Sequence, residues 1–243
     1  TLARIVRRSQ RRTVLRRTAD DTDPTERVVV ANADQMMVVV ALADPPPRTG
    51  LVDRALIAAY TGGVRPILCL TKTDLAPAAE FAEQFADLDL TVVTAGRDEP
   101  LEPVESLLSG HVTVLLGHSG VGKSTLVNRI VPQADRATGE VSGVGKGKHT
   151  STQSVALPLP CGGWVIDTPG IRSFGLAHIA ADDVLLSFSD LGEKITECPR
   201  GCGHLGAPAD PECALDALTG PPARRVTAAR RLLGALAEQR RGS

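Results

Sequence analysis

The sequence predicts an α/β fold in which helices cover both faces of a parallel, doubly wound sheet. Short runs of aliphatic and β-branched residues recur between residues 28 and 166, and segments with helical spacing separate most of them. A glycine-rich loop joins one of these apolar runs directly to a helical segment. Aromatic residues make up only 2% of the 243 residues, so the predicted core is aliphatic.

Turn residues between the elements define their approximate bounds. Apolar runs predict strands at residues 28–30, 36–42, 65–70, 90–93, 111–116 and 164–166. Helical spacing predicts helices at residues 51–60, 77–88, 101–108 and 126–131, with another that opens at residues 221–222. Prolines at 45–47 end the second strand, and a glycine pair at 162–163 predicts a hairpin turn. Residues 2–7 alternate as a strand would, and residues 20–26 read as an acidic join.

Composition excludes several classes of protein. The formal net charge is −1, so overall charge identifies no partner. The scarcity of aromatic residues argues against a platform that stacks single-stranded bases. No apolar run reaches the length of a membrane span, and no signal peptide opens the sequence. The five cysteines do not suggest a secreted disulfide scaffold, so we expect a cytoplasmic monomer with no membrane contact.

The most specific motif follows the strand at 111–116. Residues 117–125 match G-x-x-x-x-G-K-[ST], the phosphate-binding loop, and lead into a helical segment. In such a loop, backbone N–H groups bind phosphate oxygens and the helix N-terminus adds partial positive charge. Lys123 would hold the β- and γ-phosphates, and the Ser124 hydroxyl would hold Mg²⁺. The predicted nucleotide-binding residues are Gly117, His118, Ser119, Gly120, Val121, Gly122, Lys123, Ser124 and Thr125.

A second motif follows the strand at 65–70. Residues 71–74 read Thr-Lys-Thr-Asp and resemble the N-K-x-D guanine motif of GTPases. Its carboxylate can accept from N1–H and from the 2-amino group of guanine, neither of which adenine offers as a donor. Residues 94–95 resemble a weaker motif whose backbone contacts the guanine carbonyl. These motifs predict nucleotide contacts at Thr71, Lys72, Thr73, Asp74, Thr94 and Ala95.

Two later segments resemble GTPase switch regions. Residues 139–152 are glycine-rich and basic, a composition that also fits a linker. In a GTPase this position is switch I, where a threonine hydroxyl, here that of Thr150, meets Mg²⁺. Asp167 and Gly170 form a D-x-x-G pattern after a strand. Asp167 would hold the Mg²⁺ shell through water, and the Gly170 N–H would contact the γ-phosphate.

The order of these motifs is unusual, because the guanine motif precedes the phosphate loop. With this order, and with residues 31–35 and 147–152, the sequence resembles the circularly permuted, ribosome small-subunit-dependent GTPases of bacteria (RsgA/YjeQ type). Thr71 and Ser151 depart from the family pattern. The resemblance implies the end of an OB-fold barrel at residues 1–26, a permuted GTPase domain at 27–188 and a zinc-binding helical domain at 189–243. It also implies Mg²⁺-dependent hydrolysis of GTP to GDP, stimulated by the small (30S) ribosomal subunit during its late maturation.

A cluster near the C-terminus has the spacing C-x3-C-x-H-x8-C. Three thiolates and one imidazole are a complete ligand set for a closed tetrahedral zinc site. The alternative is a loop with buried thiols and an unrelated histidine. The predicted ligands of one structural zinc ion are Cys198, Cys202, His204 and Cys213.

Arginines concentrate at residues 4–17 and again at 224–241. Each group could contact the phosphates of rRNA or could be a solvated face, and charge alone does not decide between them. Ile171 follows the D-x-x-G pattern and cannot orient the attacking water, so we predict His149 as the catalytic residue and His118 as the second candidate. Two other functions stay open: a P-loop ATPase or kinase, and a zinc-stabilised RNA-binding protein whose nucleotide site only signals.

Overall fold

A computed structural model describes Arg7 and residues 9–18, 25–134, 154–168 and 175–241. The strands are β1 (Val14–Arg17), β2 (Arg27–Ala31), β3 (Gln35–Ala41), β4 (Arg65–Thr71), β5 (Thr91–Ala95), β6 (Val112–Leu116), β7 (Val155–Pro158) and β8 (Trp164–Asp167). The helices are α1 (Thr49–Thr61), α2 (Ala79–Glu83), α3 (Glu102–Leu108), α4 (Lys123–Ile130), α5 (Ala181–Leu186), α6 (Ser189–Lys194) and α7 (Pro221–Arg241). Across these ranges, every helix is too short or too polar to cross a membrane.

A six-stranded sheet forms the centre of the fold, in the order β5-β4-β3-β6-β8-β7. Five of the strands run parallel, as the alternation of strands and helices predicts. One edge differs: β7 pairs antiparallel with β8, which confirms the hairpin turn predicted there. The glycine pair at 162–163 is the reason, because a tight hairpin can only join antiparallel neighbours.

Strand β3 lies in the middle of the sheet, and all seven of its residues are buried. Alternate side chains enter different apolar cores: Met36 and Val38 point to one face, and Met37 and Val39 to the other. Helices cover both faces, which explains why the strand is a continuous apolar run without polar alternation. This architecture confirms the predicted α/β class with an aliphatic core.

Strand β2 does not belong to the central sheet. It pairs antiparallel with β1 in a separate two-stranded sheet, and its residue Val28 is 44% exposed. The strand predicted at residues 28–30 is present, but its predicted burial is wrong, because an apolar run does not reveal which sheet it joins. The described part of residues 1–26 contributes β1, and one strand is too little to establish an OB-fold barrel.

Helix α2 is shorter than the helix predicted at residues 77–88. Phe81, Phe85 and Leu88 are buried at helical spacing, which produced the prediction. Beyond Glu83, however, the backbone closes three-residue turns, such as the one from Leu88 N–H to the Phe85 carbonyl. The other predicted helices are present with small shifts of their ends, including α4, which begins at Lys123 inside the glycine loop.

The C-terminal helix α7 lies against α1, α5 and α6. Its apolar side chains Leu232 and Leu236 are buried in the same core as Leu56 of α1. Four of its arginines form ion pairs within the protein: Arg224 with Asp87, Arg225 with Asp89 and Asp190, Arg230 with Asp216, and Arg231 with Asp53. For these four arginines, the ion pairs favour the second interpretation left open, a solvated helix face, over contact with rRNA phosphates.

Candidate functional site

The glycine loop at residues 117–122 connects β6 to α4 at the carboxyl edge of the sheet. Gly120 and Gly122 have φ values of +84° and +89°, which side-chain-bearing residues rarely adopt. At Gly117 a side chain is excluded for a different reason, because a Cβ there would lie only 2.8 Å from the Val39 carbonyl oxygen. The first N–H groups of α4 have no intrahelical acceptors, as in any helix, so they are available to an anion.

Lys123 is the first residue of α4 and is 9% exposed. Its ammonium lies 3.1 Å from Asp167 Oδ1 and also donates to the Thr168 carbonyl. Thr168 in turn donates from Oγ1 to the Leu115 carbonyl at 2.6 Å, which fixes the end of β8 against β6. The lysine predicted to bind phosphate and the aspartate predicted to bind Mg²⁺ therefore lie next to each other.

Thr71 ends β4 and attaches it to the glycine loop. The side chain is buried, and Oγ1 lies 2.6 Å from the Val121 carbonyl oxygen and 3.3 Å from the Val40 carbonyl oxygen. The residue that departs from the guanine motif thus keeps a hydrogen-bond donor directed at the phosphate loop. Lys72 follows in a left-handed conformation with φ +56°, and its ammonium donates to the Asp44 carbonyl.

Asp74 and the segment at 94–95 lie on the same edge of the sheet as this contact. Ala95 pairs with Thr71 in the parallel register of β4 and β5, and Asp74 is exposed on the loop beyond. The structure thus brings the two predicted guanine segments and the glycine loop together. His118 belongs to the glycine loop, and its Nε2 atom lies 3.2 Å from Nη1 of Arg48. Both residues line a cavity of about 80 Å³, together with the prolines at residues 45–47.

Two residues that sequence reasoning missed connect these loops. Glu99 accepts hydrogen bonds from Thr73 Oγ1 at 2.6 Å and from Gly96 N–H at 2.8 Å. Arg129 of α4 donates to the Gly96 and Glu99 carbonyls at 2.7 and 2.6 Å. Neither residue belongs to a motif, so the sequence carries no signal for them.

Three predicted residues lie outside the described parts of the chain: His149, Thr150 and Gly170. The predicted catalytic role of His149, the predicted Mg²⁺ contact of Thr150 and the predicted γ-phosphate contact of Gly170 stay predictions. The same holds for Arg4 and Arg8 and for the strand predicted at residues 2–7, of which only Arg7 is described.

The four side chains of the C-terminal cluster converge. One ligand atom from each of Cys198, Cys202, His204 and Cys213 lies within 4.8 Å of every other, which makes this a group that could hold a metal ion. Cys198 Sγ and His204 Nδ1 are 3.5 Å apart. Bond lengths of about 2.3 Å to sulfur and 2.1 Å to nitrogen place two ligands of a zinc tetrahedron roughly 3.6 Å apart, so the spacing fits.

Neighbouring groups orient the histidine of this cluster and donate hydrogen bonds to two of its sulfurs. His204 Nε2 lies 3.0 Å from Asp182 Oδ1 of α5, which leaves Nδ1 facing the thiols. The Ala214 N–H and the Arg230 guanidinium donate to the sulfurs of Cys198 and Cys213. Burial raises the pKa of the Cys202 thiol to about 11. A bound divalent ion would supply the positive charge that favours the thiolate.

A glycine loop that opens a helix beside a buried lysine and aspartate, on a mainly parallel sheet, defines the P-loop nucleoside-triphosphatase class of folds. Within this class, the chain belongs to the RsgA GTPase family, whose family model matches residues 8–177.

Curated relatives and solved structures agree with this assignment. The chain is 40% identical over 215 residues to "Small ribosomal subunit biogenesis GTPase RsgA" of Alcanivorax borkumensis, a match that covers 84% of this chain and 59% of the relative. The protein of the same name from Ectopseudomonas mendocina is 39% identical, with 86% and 64% covered. The chain therefore spans less than two thirds of the length of these relatives.

Two solved structures share the fold. YjeQ from Thermotoga maritima superposes with a TM-score of 0.64 at 23% identity, covering 94% of this chain and 77% of that one. YloQ, described as a circularly permuted GTPase, superposes with a TM-score of 0.59 at 25% identity, covering 86% and 70%.

Proposed function

We propose that this chain is the nucleotide-binding and C-terminal part of a GTPase that acts in biogenesis of the small ribosomal subunit. The observation that carries the proposal is the 2.6 Å hydrogen bond from Thr71 Oγ1 to the Val121 carbonyl. It joins the loop with the guanine motif to the loop with the phosphate motif, so a single nucleotide could contact both. The names of the curated relatives support the biological role.

In this proposal, binding uses the two loops separately. The backbone N–H groups of residues 117–122 and the Lys123 ammonium would hold the phosphates. The exposed Asp74 carboxylate would accept from guanine, with the Lys72 stem along the base plane and the backbone of residues 94–95 near the guanine carbonyl. An adenine would leave the carboxylate without donors, so GTP would be preferred over ATP.

Hydrolysis transfers the γ-phosphoryl group of GTP to water and releases GDP and phosphate. Mg²⁺, when bound, neutralises charge on the phosphates, and Ser124, Thr150 and Asp167 are the side chains we assign to hold it. Lys123 lies 3.1 Å from Asp167, so its cation can stabilise charge at the same place. We assign the positioning of the attacking water to His149, because Ile171 cannot donate or accept a hydrogen bond.

We also propose that Cys198, Cys202, His204 and Cys213 bind one structural zinc ion. Four protein ligands would close the coordination sphere, which suits stability rather than catalysis. The zinc-binding part would comprise residues 189–243, after a GTPase domain at 27–188 and the end of a β-barrel at 1–26. Contacts with rRNA would come from the N-terminal arginines, such as Arg12, because its side chain is 73% exposed even though it pairs with Asp34, whereas the four paired arginines of α7 are less exposed. A monomer in the cytoplasm suits such a role.

The test is turnover of GTP and of ATP with and without purified small ribosomal subunits, with large subunits as a control. We expect GTP to be hydrolysed, ATP to be hydrolysed poorly, and small subunits alone to stimulate the reaction. Lys123→Ala should abolish turnover, whereas Lys194→Ala, which changes a lysine of α6 that pairs with Glu197, should not. Hydrolysis of ATP at the rate of GTP would favour the alternative of a P-loop ATPase, and binding without turnover would favour a signalling RNA-binding protein.

His149→Ala examines the predicted catalytic residue separately. The substitution should remove most of the stimulated turnover and leave GTP affinity unchanged, because the imidazole is assigned to water and not to the nucleotide. His111→Ala serves as the matched control, since His111 precedes β6 at the opposite edge of the sheet. Normal stimulated turnover in the His149 variant would assign the water to another residue or to the ribosome.

A further inference from the structure

We propose that Glu99 is a positioning residue for base recognition: it holds the loop that carries Asp74 and thereby sets how strongly the site selects the 2-amino group of guanine. The inference rests on the proposed function, because it concerns the same nucleotide site. Glu99 lies after β5, outside every segment that motif analysis assigns to nucleotide contact.

The two carboxylate oxygens of Glu99 bind two different loops. Oε1 accepts from Thr73 Oγ1 at 2.6 Å, and Thr73 is the residue directly before Asp74. Oε2 accepts from the N–H of Gly96 at 2.8 Å, and Gly96 directly follows Ala95. One side chain therefore connects both segments predicted to contact guanine.

The two loops meet closely at this carboxylate. A Cβ at Gly96 would lie 2.2 Å from Thr73 Oγ1 and 3.0 Å from the carboxyl carbon of Glu99, so glycine is required there. The hydrogen bond from Thr73, followed by that from Gly96, lowers the pKa of Glu99 below its ordinary value. The ionised form is the one suited to this place, because it accepts at both oxygens and donates at neither.

Arg129 extends the connection to the phosphate loop. Its guanidinium donates to the Gly96 carbonyl at 2.7 Å and to the Glu99 carbonyl at 2.6 Å. Arg129 belongs to α4, the helix that begins at Lys123. The base-side loops are therefore fastened to the helix whose N-terminus is assigned to phosphate, and the distance between the two halves of the site is fixed.

This arrangement answers a geometric need of Asp74. The side chain is exposed on a loop, yet a bidentate contact with N1–H and the 2-amino group requires a carboxylate held to within about 0.5 Å. Thr73, fixed through Glu99, restricts the backbone next to Asp74. Loosening it should weaken the second of the two hydrogen bonds most, since both can form together only in one orientation of the carboxylate.

Glu99→Gln tests the proposal with little change of shape. The amide oxygen can still accept from the Gly96 N–H, but the NH₂ group then faces the Thr73 hydroxyl, so the charge-assisted hydrogen bond that Thr73 donates to the carboxylate is lost. Affinities for GDP and for inosine diphosphate are measured, because inosine lacks only the 2-amino group. We expect GDP affinity to fall by about tenfold, which corresponds to the loss of roughly one charge-assisted hydrogen bond. Inosine diphosphate should lose about threefold, so the preference for GDP should fall by about threefold.

Matched variants separate positioning from general destabilisation. Glu102→Gln removes an exposed carboxylate three residues away and should change neither affinity. Thr73→Val should reproduce the effect of Glu99→Gln. Thr73→Ser, which retains the hydroxyl, should keep the wild-type preference for GDP. The double variant Glu99→Gln/Thr73→Val should lose no more affinity than either single variant. A merely structural role would lower both affinities by the same factor and leave the preference unchanged.

The outcomes for the inference and for the proposed function are distinct. If the wild-type protein binds GDP no better than ADP, the proposed guanine site fails. If it prefers GDP and Glu99→Gln keeps the full preference over inosine diphosphate, the positioning role of Glu99 is overturned while the guanine site stands.

Discussion

Replacing Thr71 with valine removes the single hydroxyl that attaches β4 to the glycine loop. Oγ1 lies 2.6 Å from the Val121 carbonyl oxygen, and the residue is only 4% exposed, so water cannot replace the lost donor. Valine has nearly the same shape as threonine, which keeps the packing of the surrounding β4 and β3 side chains. The substitution therefore isolates one hydrogen bond.

The expected cost follows from the burial of this contact. A neutral hydrogen bond contributes about 1 kcal/mol to stability, and a buried carbonyl left without its donor costs about 1–3 kcal/mol. Because the Val121 carbonyl belongs to a loop that can shift, we expect a loss of about 1–2 kcal/mol in the free energy of unfolding. If the loop shifts, GDP affinity should fall by up to about tenfold, since tenfold corresponds to 1.4 kcal/mol.

Denaturant unfolding gives the stability, and titration with GDP gives the affinity. Thr91→Val, which makes the same chemical change at an exposed position of β5, should alter stability by less than about 0.5 kcal/mol. Thr71→Ser should recover most of the loss because it retains the donor. A valine variant as stable as the wild type and with unchanged GDP affinity would refute the view that β4 holds the loop through Thr71.

Three other substitutions test separate parts of the molecule. Asp74→Asn should weaken GTP binding and improve binding of xanthosine triphosphate, since xanthine presents an acceptor where guanine has its amino group; unchanged GTP affinity would reject the guanine assignment. Protein as purified should contain about one zinc per chain by elemental analysis, and Cys202→Ser should lose it while GDP binding persists; metal-free wild-type protein would reject the site. Arg231→Met should lower the unfolding free energy by about 2 kcal/mol. This is less than the loss of a fully buried ion pair would cost, because the Arg231 side chain is 34% exposed. Burial already raises the pKa of Asp53, and loss of the Arg231 cation should raise it further. The loss of unfolding free energy should therefore be small at acid pH, where the carboxyl is protonated in the folded protein, and should grow as pH rises through that pKa.

Periodicity predicted the middle strands β3, β4 and β6 because nearly all of their residues are buried, and glycine or proline marks where β3, β5 and β6 end. Local pattern could not reveal long-range pairing. The run at residues 28–30 looks like any core strand, but its partner is β1, and Val28 is left 44% exposed. Likewise, the spacing of Phe81 and Phe85 satisfies a helix, whereas the backbone beyond Glu83 turns more tightly.

Site residues divide in the same way. The glycine loop, the guanine motif and the Cys/His cluster are contiguous patterns whose chemistry requires particular residue types at fixed spacing, and the structure brings each set together. Glu99 and Asp182 were missed because the site residues they hold, Thr73 and His204, lie 26 and 22 residues away in sequence. A carboxylate that orients another residue has no characteristic neighbours in sequence, so only the folded chain identifies it.

The position of β3 in the sheet has a consequence for how the protein is made. On one side β3 pairs with β4, where Gln35 meets Arg65, and on the other it pairs with β6, where Gln35 meets Thr113 across 78 residues of sequence. During synthesis, residues 35–95 emerge before β6 and β8 and contain a complete three-stranded unit with the guanine motif. The opposite edge of β3 must then wait, unpaired, for β6 and β8 to leave the ribosome. The half of the sheet that carries the predicted guanine motif would thus be the template for the half that carries the phosphate loop, the reverse of the order in a chain that begins with the phosphate loop.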